Sequence, residues 1–420
     1  MRSRSTRLAF VVVFAAVLSI APSARGLQTS IPTAPAPREV RGLWVLRTSL
    51  TSAAAIERMV TTAAEAGYNT LLVQVRGRGD AYYLSDIEPR AADLGSQRGD
   101  FDPLAATIAF AHRAGLQVHA WVNVNLVSSA VTLPRAANHV VRRHPEWLMV
   151  PAPLAGRLRT MAPKSPGYVN AIAKWTRESS PRGEGIFLSP ITDGSQDYTV
   201  RVVNEIVERY DIDGLHLDYI RYPSNDFDYS RPALDAFRAA RHAATQADRR
   251  SALDRSTDPL AWTRAFPEAW DAFRRERLTT LVHRIVTSAR TLRPGITISA
   301  AVVPDHAEAR THRYQDWAGW ASAGYLDVVC PMIYTQDAQT FASQVNATRK
   351  LLGETPMWAG IGAYRLPVAQ TGANLRAARR AGAAGILLFS YDSLTGAEAP
   401  SRGYLTALKP ILLEPHGDAR

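Results

Sequence analysis

Residues 213–223, which read DGLHLDYIRYP, carry the densest group of chemically capable side chains in the chain. Polar and apolar residues alternate up to Asp218, and Tyr219 and Arg221 follow before a proline turns the chain. A carboxylic acid beside aromatic rings and a guanidinium suits sugar chemistry, because rings stack on sugar faces while the acid transfers protons. Asp218 is therefore our first candidate for a catalytic acid. The alternative is a structural role, as the buried ion-pair partner of Arg221 or Arg76.

Cleavage of a glycosidic bond typically needs a second carboxyl group on the opposite side of the bond. Our first choice is Glu276, in the run FRRE at 273–276, which we expect near the start of the helix after the fourth strand. The helix dipole alone favours an acid in a first turn, so a structural role for Glu276 is equally compatible with the sequence. Four further acids follow predicted strands and compete with it: Asp80, Asp305, Asp337 and Asp392.

From Arg41 onward, eight strand-like apolar runs alternate with amphipathic helical segments. Such alternation is typical of a parallel sheet, and eight units in one domain indicate an α/β fold of the (β/α)8 type, a TIM barrel. A doubly wound sheet would carry a glycine-rich turn after its first strand, but residues 46–50 read LRTSL. The predicted strands are 42–46, 70–75, 117–124, 214–219, 296–302, 326–333, 357–361 and 385–389, and the predicted helices include 53–66, 104–114, 200–209, 277–288, 341–352 and 375–381.

Two connections are too long for simple loops: residues 125 to about 184, after the third strand, and residues 224 to about 270, after the fourth. Loops that follow barrel strands lie on the catalytic face. Long ordered loops commonly form walls or lids of a site. We therefore expect both connections to stand around the mouth of the barrel, and neither to be a separate domain.

Strand periodicity sorts side chains into two faces, because alternate residues point to opposite sides of a sheet. In the second, third and fourth strands one set is apolar and the other is largely polar or aromatic. The apolar set should face the helices, which leaves the polar set inside the barrel. A self-satisfied polar layer that only supports the fold is the alternative for the deeper members. The inward set comprises Leu72, Gln74 and Arg76; His119, Trp121, Asn123 and Asn125; and Gly214, His216 and Asp218.

Aromatic residues recur after other strands, among them Tyr82, Tyr334 and Tyr391. Scattered aromatic residues usually belong to the core. Their recurrence at so many strand ends favours a sugar-stacking cleft, which we expect to include Tyr219 as well.

The first 24 residues have the layout of a secretory signal peptide: arginines without acids, an apolar run and a short stretch of small residues. An uncleaved anchor is the alternative, but the apolar run is short for a membrane span of roughly 20 residues. A spacer rich in Thr, Pro and Ala follows at 25–38, and we expect the barrel domain over 39–410. The predicted location is secreted, periplasmic or cell-envelope, without a membrane span after cleavage.

The chain has a formal charge of +11 and a single cysteine, Cys330, in a strand-like run. A basic secreted protein is attracted to anionic surfaces such as cell walls or acidic glycans. An arginine-rich proteome would produce the same charge, and nucleic acid fits the predicted compartment poorly. We expect Cys330 to behave as a small buried hydrophobe. No Cys/His spacing is typical of zinc sites, so we expect neither metal nor cofactor.

Short motifs in the same order along residues 39–395 resemble the glycosyl hydrolase-like family ten. They are RGLWV at 41–45, VQVR at 73–76, GDAY at 79–82, HAWVN at 119–123, DGLHLDYIRYP at 213–223, FRRE at 273–276, PMIY at 331–334 and FSY at 389–391. The resemblance implies a TIM barrel, secretion or envelope attachment, and hydrolysis of cell-envelope glycans, with peptidoglycan glycan strands as one substrate class.

Matched position by position, the resemblance places Asp218 on the family's acidic residue at the end of strand four. Its pocket positions fall on Arg76, Asp80, Trp121, Asn123 and His216. This chain departs from the pattern twice, because many members carry an aspartate where it has Tyr219 and another where it has Glu276.

These features support an endo-acting glycoside hydrolase of N-acetylhexosamine polymers. One carboxylic acid would protonate the leaving oxygen, and another carboxylate would act as base or nucleophile. The alternative is a catalytically silent barrel that binds glycans in the envelope. A hydrolase of amide or ester bonds is less well supported, because the sequence carries no Ser/His/Asp signature.

Overall fold

The computed structural model describes residues 39–179 and 184–415 of the 420-residue chain. The predicted signal peptide at 1–24 and spacer at 25–38 lie outside the described residues. Eight parallel strands close into a barrel in the order in which they occur along the chain, and the last pairs back with the first. The predicted (β/α)8 fold is confirmed. The barrel strands are β1 (Val40–Val45), β2 (Thr70–Arg76), β3 (Gln117–Asn123), β6 (Gly214–Asp218), β7 (Thr297–Val302), β8 (Val328–Ile333), β9 (Trp358–Ile361) and β10 (Gly385–Phe389).

Helices fill the connections between the strands and surround the barrel. Several begin at capping residues: the side chains of Ser52, Asp102 and Asp337 accept hydrogen bonds from backbone N–H groups of the first turn. The helices are α1 (Ala53–Glu65), α2 (Pro103–Arg113), α3 (Val140–Arg143), α4 (Ala155–Arg159), α5 (Pro166–Ser179), α6 (Asp193–Arg209), α7 (Arg231–His242), α8 (Ala247–Asp254), α9 (Ala261–Ala265), α10 (Pro267–Leu292), α11 (His306–His312), α12 (Trp317–Ser322), α13 (Ala338–Leu352), α14 (Val368–Arg380), α15 (Tyr391–Thr395) and α16 (Tyr404–Leu412).

The alternation along the strands separates two apolar regions. Leu71 and Val73 of β2 are fully buried in the main cluster, which joins the outer face of the sheet to the helices. Leu72, between them, belongs to a second cluster inside the barrel together with Trp44 and Trp121. The strand register therefore fixes which residues reach the interior and its mouth.

The interior is unusually polar for a barrel, where branched aliphatic residues dominate. His119, His216 and Ser299 are all fully buried there. A Cβ built on Gly214 would lie 2.2 Å from His119 Nδ1, so a larger residue at this position would displace the ring. In the pairing of β3 with β6, Trp121 lies opposite His216 and Asn123 lies opposite Asp218.

The connection between β3 and β6 contains α3 to α6 and an antiparallel ribbon of β4 (Leu126–Ser128) and β5 (Ile186–Phe187). It encloses an apolar cluster of its own, which includes Val127, Leu148 and Ile172. The connection between β6 and β7 contains α7 to α10. Among the described residues, no helix is both long enough and apolar enough to cross a membrane.

Candidate active site

A cavity of about 350 Å³ opens at the carboxyl ends of the barrel strands. Ligand pockets span roughly 300–1,000 Å³, so this one is near the lower end. Seven barrel strands and the β3–β6 connection contribute to its walls. This is the face on which TIM-barrel enzymes assemble their catalytic groups. The polar and aromatic lining comprises Trp44, Arg47, Gln74, Arg78, Trp121, Asn123, Glu184, Asp218, Tyr219, Arg221, Tyr334 and Phe389.

Asp218 is the last residue of β6, and it is only 5% exposed. Trp121 Nε1 donates a hydrogen bond to its Oδ2 at 3.1 Å, and the Tyr219 backbone N–H donates one to its Oδ1 at 2.6 Å. Tyr219 has a φ of 50°, a left-handed conformation that bulky residues rarely adopt. Hydrogen bonds from Trp121 and from the Tyr219 backbone therefore fix both oxygens of the Asp218 carboxylate.

Burial raises the pKa of Asp218 from its ordinary value of 3.8 to about 6, and the nearby Glu184 carboxylate adds to the rise. The Arg221 guanidinium and the hydrogen bonds from Tyr219 and Trp121 act in the opposite direction on this pKa. A carboxylic acid with a pKa near 6 is partly protonated at near-neutral pH. It can therefore donate a proton, which an ordinary surface aspartate could not do there.

Glu184 supplies the other carboxylate of the cavity and lies just before β5, in the β3–β6 connection. Arg221 donates to both of its oxygens, from Nη1 to Oε2 at 2.7 Å and from Nη2 to Oε1 at 3.2 Å. The same guanidinium lies over the Tyr219 ring, 4.6 Å from its centre. Arg221 thus makes its ion pair with Glu184 and not with Asp218. Among the described residues that line the cavity, Glu184 and Asp218 are the two acids.

A chain of hydrogen bonds holds the Trp121 indole against Asp218. Its Nε1 also donates to Asn123 Oδ1 at 2.9 Å, and Asn123 Nδ2 donates to the Gly77 carbonyl at 2.7 Å. On the same side of the cavity, Arg47 Nη1 donates to Gln74 Oε1 at 2.7 Å. Trp121 and Asn123, both predicted from the parity of β3, are therefore brought together with Asp218.

His216 lies below the cavity and does not line it. Trp44 Nε1 donates to its Nε2 at 3.0 Å, so Nδ1 carries the proton and faces Ser299 Oγ at 2.9 Å. Burial, with a smaller contribution from His119, lowers the pKa of His216 to about 3. His216 is a neutral structural group that supports Trp44 and Trp121 from beneath. This matches the supporting role that the sequence left open for it.

The predicted pocket residue Arg76 lies outside the cavity, fully buried behind its wall. Its guanidinium makes an ion pair with Glu88 at 2.7 Å and donates to the carbonyls of Asn123 and Val124. The pairing of β2 with β3 is irregular between Gln74 and Arg76. This irregularity interrupts the simple alternation from which an inward Arg76 was predicted. Arg76 supports the end of β3 and does not reach the cavity.

Asp80 and Tyr82, predicted as substrate-binding residues, belong to the loop after β2 and do not line the cavity. The Tyr82 hydroxyl donates to Asp93 at 2.7 Å, and the ring is almost completely buried. Asp80 Oδ1 accepts a hydrogen bond from the Arg78 backbone N–H at 3.0 Å, and burial raises its pKa. Both residues shape the loop that carries Arg78.

Glu276 lies outside the cavity, exposed on the surface of α10. Two facts explain the difference from the sequence-based expectation. The helix begins at Pro267, so Glu276 is well inside it and not in its first turn. The buried side of the helix carries Arg274, Leu278 and Leu281, and Glu276 lies about 200° around the axis from Arg274 and from Leu278.

The other candidate acids make structural contacts. Asp305 and Asp337 cap α11 and α13 by accepting backbone hydrogen bonds. Asp392 accepts hydrogen bonds from the Leu46 N–H and from the hydroxyls of Thr48 and Ser49, which fixes the chain after β1.

Two of the predicted aromatic residues differ in position. Tyr334 follows β8 and lines the cavity, where its ring lies 5.3 Å from that of Phe389. Burial raises its pKa well above the ordinary value, so the hydroxyl stays protonated. Tyr391 begins α15 and packs at the edge of the main apolar cluster instead.

The described residues hold no group of three or more His, Cys, Asp or Glu side chains arranged to bind a metal ion. Cys330 is fully buried inside the barrel, and burial raises the pKa of its thiol. The lining therefore offers acids, guanidiniums and aromatic rings as its chemical groups.

Sequence reasoning did not single out Glu184, Arg47 or Arg78 as site residues. Glu184 comes from a connection without strand periodicity, so no pattern placed it. Arg47 lies in a 3₁₀ turn just after β1, at residues 47–50, and Arg78 lies in the loop after β2. Both arginines lie immediately beyond barrel strands, where TIM-barrel enzymes place their catalytic groups. This position was the sequence signal that could have identified them as site residues.

The chain is similar in sequence to curated proteins that are described as glycosyl hydrolases. The chain is 22% identical over 297 residues to glycosyl hydrolase YngK of Bacillus subtilis, covering 66% of this chain and 48% of that one. It is 26% identical over 294 residues to glycosyl hydrolase DigH of Escherichia coli, covering 64% and 55% respectively. The chain thus spans about half the length of these curated relatives.

Among solved structures, the chain resembles a β-galactosidase from the psychrophilic Marinomonas ef1, with a TM-score of 0.60 and 13% sequence identity. The match covers 89% of this chain and 59% of that one. At this level of identity the likeness concerns the barrel fold.

The family model described as Glycosyl hydrolase-like 10 matches residues 39–367. This range runs from the start of β1 to beyond β9 and contains every acid and every arginine that lines the cavity. The chain belongs to the Glycosyl hydrolase-like 10 family.

Proposed function

We propose that this protein is a glycoside hydrolase that cuts a polysaccharide, with Asp218 as the acid that protonates the leaving oxygen. The observation that carries the proposal is the environment of Asp218. It is a nearly enclosed acid with a pKa of about 6, at the carboxyl end of a barrel strand and open to a cavity. Glycosidases place a carboxylic acid with a raised pKa beside the scissile oxygen. Membership of a glycosyl hydrolase-like family supports the same reaction class.

The second carboxylate of the proposed mechanism is Glu184, which replaces Glu276 in this role. Glu184 shares the cavity with Asp218 and is near enough to influence its pKa. Glu184 acts either as the base that activates water or as the nucleophile that attacks the sugar. The separation of the two carboxyl groups in the substrate complex decides which of these two roles Glu184 takes. Arg221 holds the Glu184 carboxylate in place.

The proposed substrate is a polysaccharide outside the cytoplasm. Trp121, Tyr219, Tyr334 and Phe389 provide aromatic surface in the cavity, which suits the apolar faces of sugar rings. The signal-peptide layout of residues 1–24 supports secretion or an envelope location. Peptidoglycan glycan strands fit both this location and the family, and they are therefore one substrate class to test.

A catalytically silent glycan-binding barrel is the second candidate. The observation in its favour is the ion pair of Glu184, in which Arg221 donates to both carboxylate oxygens. A carboxylate engaged in this way is a weaker base or nucleophile than a free one. This candidate predicts sugar binding without turnover.

The test measures release of reducing ends and the masses of the products from purified peptidoglycan and from chitin oligomers. The substitution Asp218→Asn removes the transferable proton and keeps the size of the side chain. We expect it to lower the rate by a factor of about 10²–10⁴, the usual contribution of general acid catalysis. Glu184→Gln should lower the rate as well.

Glu276→Gln is the matched control, because it makes the same chemical change as Glu184→Gln on the exposed side of α10. We expect it to retain wild-type activity. Wild-type turnover in Asp218→Asn would contradict the assignment. Binding of the glycans without any cleavage by the wild-type protein would favour the silent barrel.

A further inference from the structure

Two arginines of the cavity wall carry charges that no acid of the described residues balances by direct contact. Arg47 follows β1 and Arg78 follows β2, and both line the cavity that contains Asp218. Within the described part of the chain, neither guanidinium forms an ion pair. Arg47 donates to the neutral Gln74 amide at 2.7 Å, while Arg78 is exposed. The third arginine of the cavity, Arg221, is already paired with Glu184.

The two guanidiniums are held close to each other by the chain. The Arg47 side chain lies across Gly77, the residue directly before Arg78, and a Cβ built on Gly77 would lie 2.8 Å from Arg47 Cδ. Glycine at position 77 therefore makes room for Arg47 beside Arg78. Partial burial lowers the pKa of Arg78 and the charge of Arg47 lowers it further, while the nearby Asp80 carboxylate, which also feels the charge of Arg47, raises it.

Two like charges beside a half-enclosed cavity repel each other at a cost to the free protein. A negatively charged ligand group that contacts both would relieve this repulsion and form charge-assisted hydrogen bonds. Guanidinium groups present parallel N–H donors that match the two oxygens of a carboxylate. Asp218 and Glu184 line the same cavity, and the negative charge of these carboxyl groups favours an acidic ligand group at the arginines over one beside the acids.

We propose that Arg47 and Arg78 form a subsite for a carboxylate carried by the glycan, so that the preferred substrate is an acidic polysaccharide. This inference rests on the proposed function, because it assumes that a sugar chain occupies the cavity. The carboxylate belongs either to a uronic acid ring or to an ether substituent of an amino sugar. In both cases the negative charge fixes the orientation of the chain across Asp218.

The test measures binding by calorimetry in the Asp218→Asn protein, so that no ligand is consumed. The probes are carboxymethylated chitin tetramers, their neutral chitotetraose counterparts, and tetrasaccharides of alternating glucuronate and N-acetylglucosamine. We expect at least one carboxylate probe to bind at least about tenfold more tightly than chitotetraose, and the advantage to shrink with added salt. The two carboxylate probes distinguish an ether substituent from a uronic acid.

Substitutions identify the residues responsible for the preference. Arg47→Gln and Arg78→Gln should each reduce the advantage of the carboxylate probe to about threefold or less, whereas Arg78→Lys should retain part of it. Arg98→Gln, on an exposed loop at a guanidinium paired with Asp100, is the control and should change nothing. Affinity for chitotetraose reports whether a variant still folds and binds sugar.

Equal affinity for neutral and acidic probes overturns the subsite. So does a preference for acidic probes that survives in both Arg47→Gln and Arg78→Gln. These outcomes are distinct from failure of the proposed function, since they concern binding in a protein that is already unable to transfer the proton. Cleavage of chitin oligomers by the wild-type protein, without any charge preference, would retain the hydrolase and remove the subsite.

Discussion

Asp218 can act as an acid because its buried environment disfavours the ionised form of its carboxyl group. Burial raises its pKa to about 6 despite the Arg221 guanidinium and the hydrogen bonds from Tyr219 and Trp121. In the unfolded chain the same group would titrate near 3.9. Between these two values the folded protein binds more protons than the unfolded protein. The free energy of unfolding therefore falls as the pH rises from about 4 to about 6, and this loss persists at higher pH.

The substitution Asp218→Asn removes this penalty, because an amide has no charged form to desolvate. We expect the difference in unfolding free energy between Asp218→Asn and wild type to grow by about 2–3 kcal/mol, in favour of the variant, between about pH 4 and pH 7.5. Urea unfolding of both proteins at the two pH values measures it. A difference that stays the same at both values would mean that the Asp218 pKa is not raised.

The β4–β5 ribbon is the secondary-structure element on which the second carboxylate depends. Gly185 separates Glu184 from β5 and has a φ of 135°, a conformation essentially confined to glycine. A Cβ built there would lie 2.1 Å from the Ser128 carbonyl oxygen in the facing strand. Any side chain at this position therefore pushes Glu184 and β4 apart.

We expect Gly185→Ala to lower the free energy of unfolding by about 1–3 kcal/mol and to reduce glycan hydrolysis, because it displaces Glu184 from Arg221. Chemical denaturation and initial-rate measurements check the two effects. Gly99→Ala is the control, since a Cβ at Gly99 meets no atom within 4 Å. Full activity in Gly185→Ala would argue against a role for Glu184 in the reaction.

The arrangement of the whole molecule accounts for what the sequence could and could not predict. Barrel topology and strand parity depend on local patterns, so Asp218, Trp121 and Asn123 could be located from the sequence. Glu184 could not, because it reaches the cavity through a long connection that folds around its own core. Glu276 lies outside the cavity because the buried face of α10 is decided by contacts with other parts of the β6–β7 connection, as between Arg274 and the Phe227 carbonyl.

The buried Arg76–Glu88 ion pair joins β2 to the loop that follows it, and a tyrosine of the β3–β6 connection also contacts the pair. Both side chains are fully buried, and Tyr198 of α6 donates to Glu88 at 2.7 Å. Because Glu88→Gln would leave the Arg76 charge without its carboxylate, we expect it to lower the free energy of unfolding by about 3–5 kcal/mol. Urea denaturation measures this loss. The control, Asp100→Asn, breaks the exposed pair with Arg98 and should leave the urea midpoint of unfolding unchanged. Equal effects of the two variants on unfolding would contradict a structural role for the buried pair.

The most direct test of Asp218 as the general acid compares two leaving groups in the Asp218→Asn protein. A natural glycan has an alkoxide leaving group that needs protonation, whereas a dinitrophenyl glycoside of the same sugar departs without a proton. We expect Asp218→Asn to slow cleavage of the glycan by about 10²–10⁴-fold and to leave hydrolysis of the dinitrophenyl glycoside close to the wild-type rate. An equal loss on both substrates, or no loss on the glycan, would contradict proton donation by Asp218.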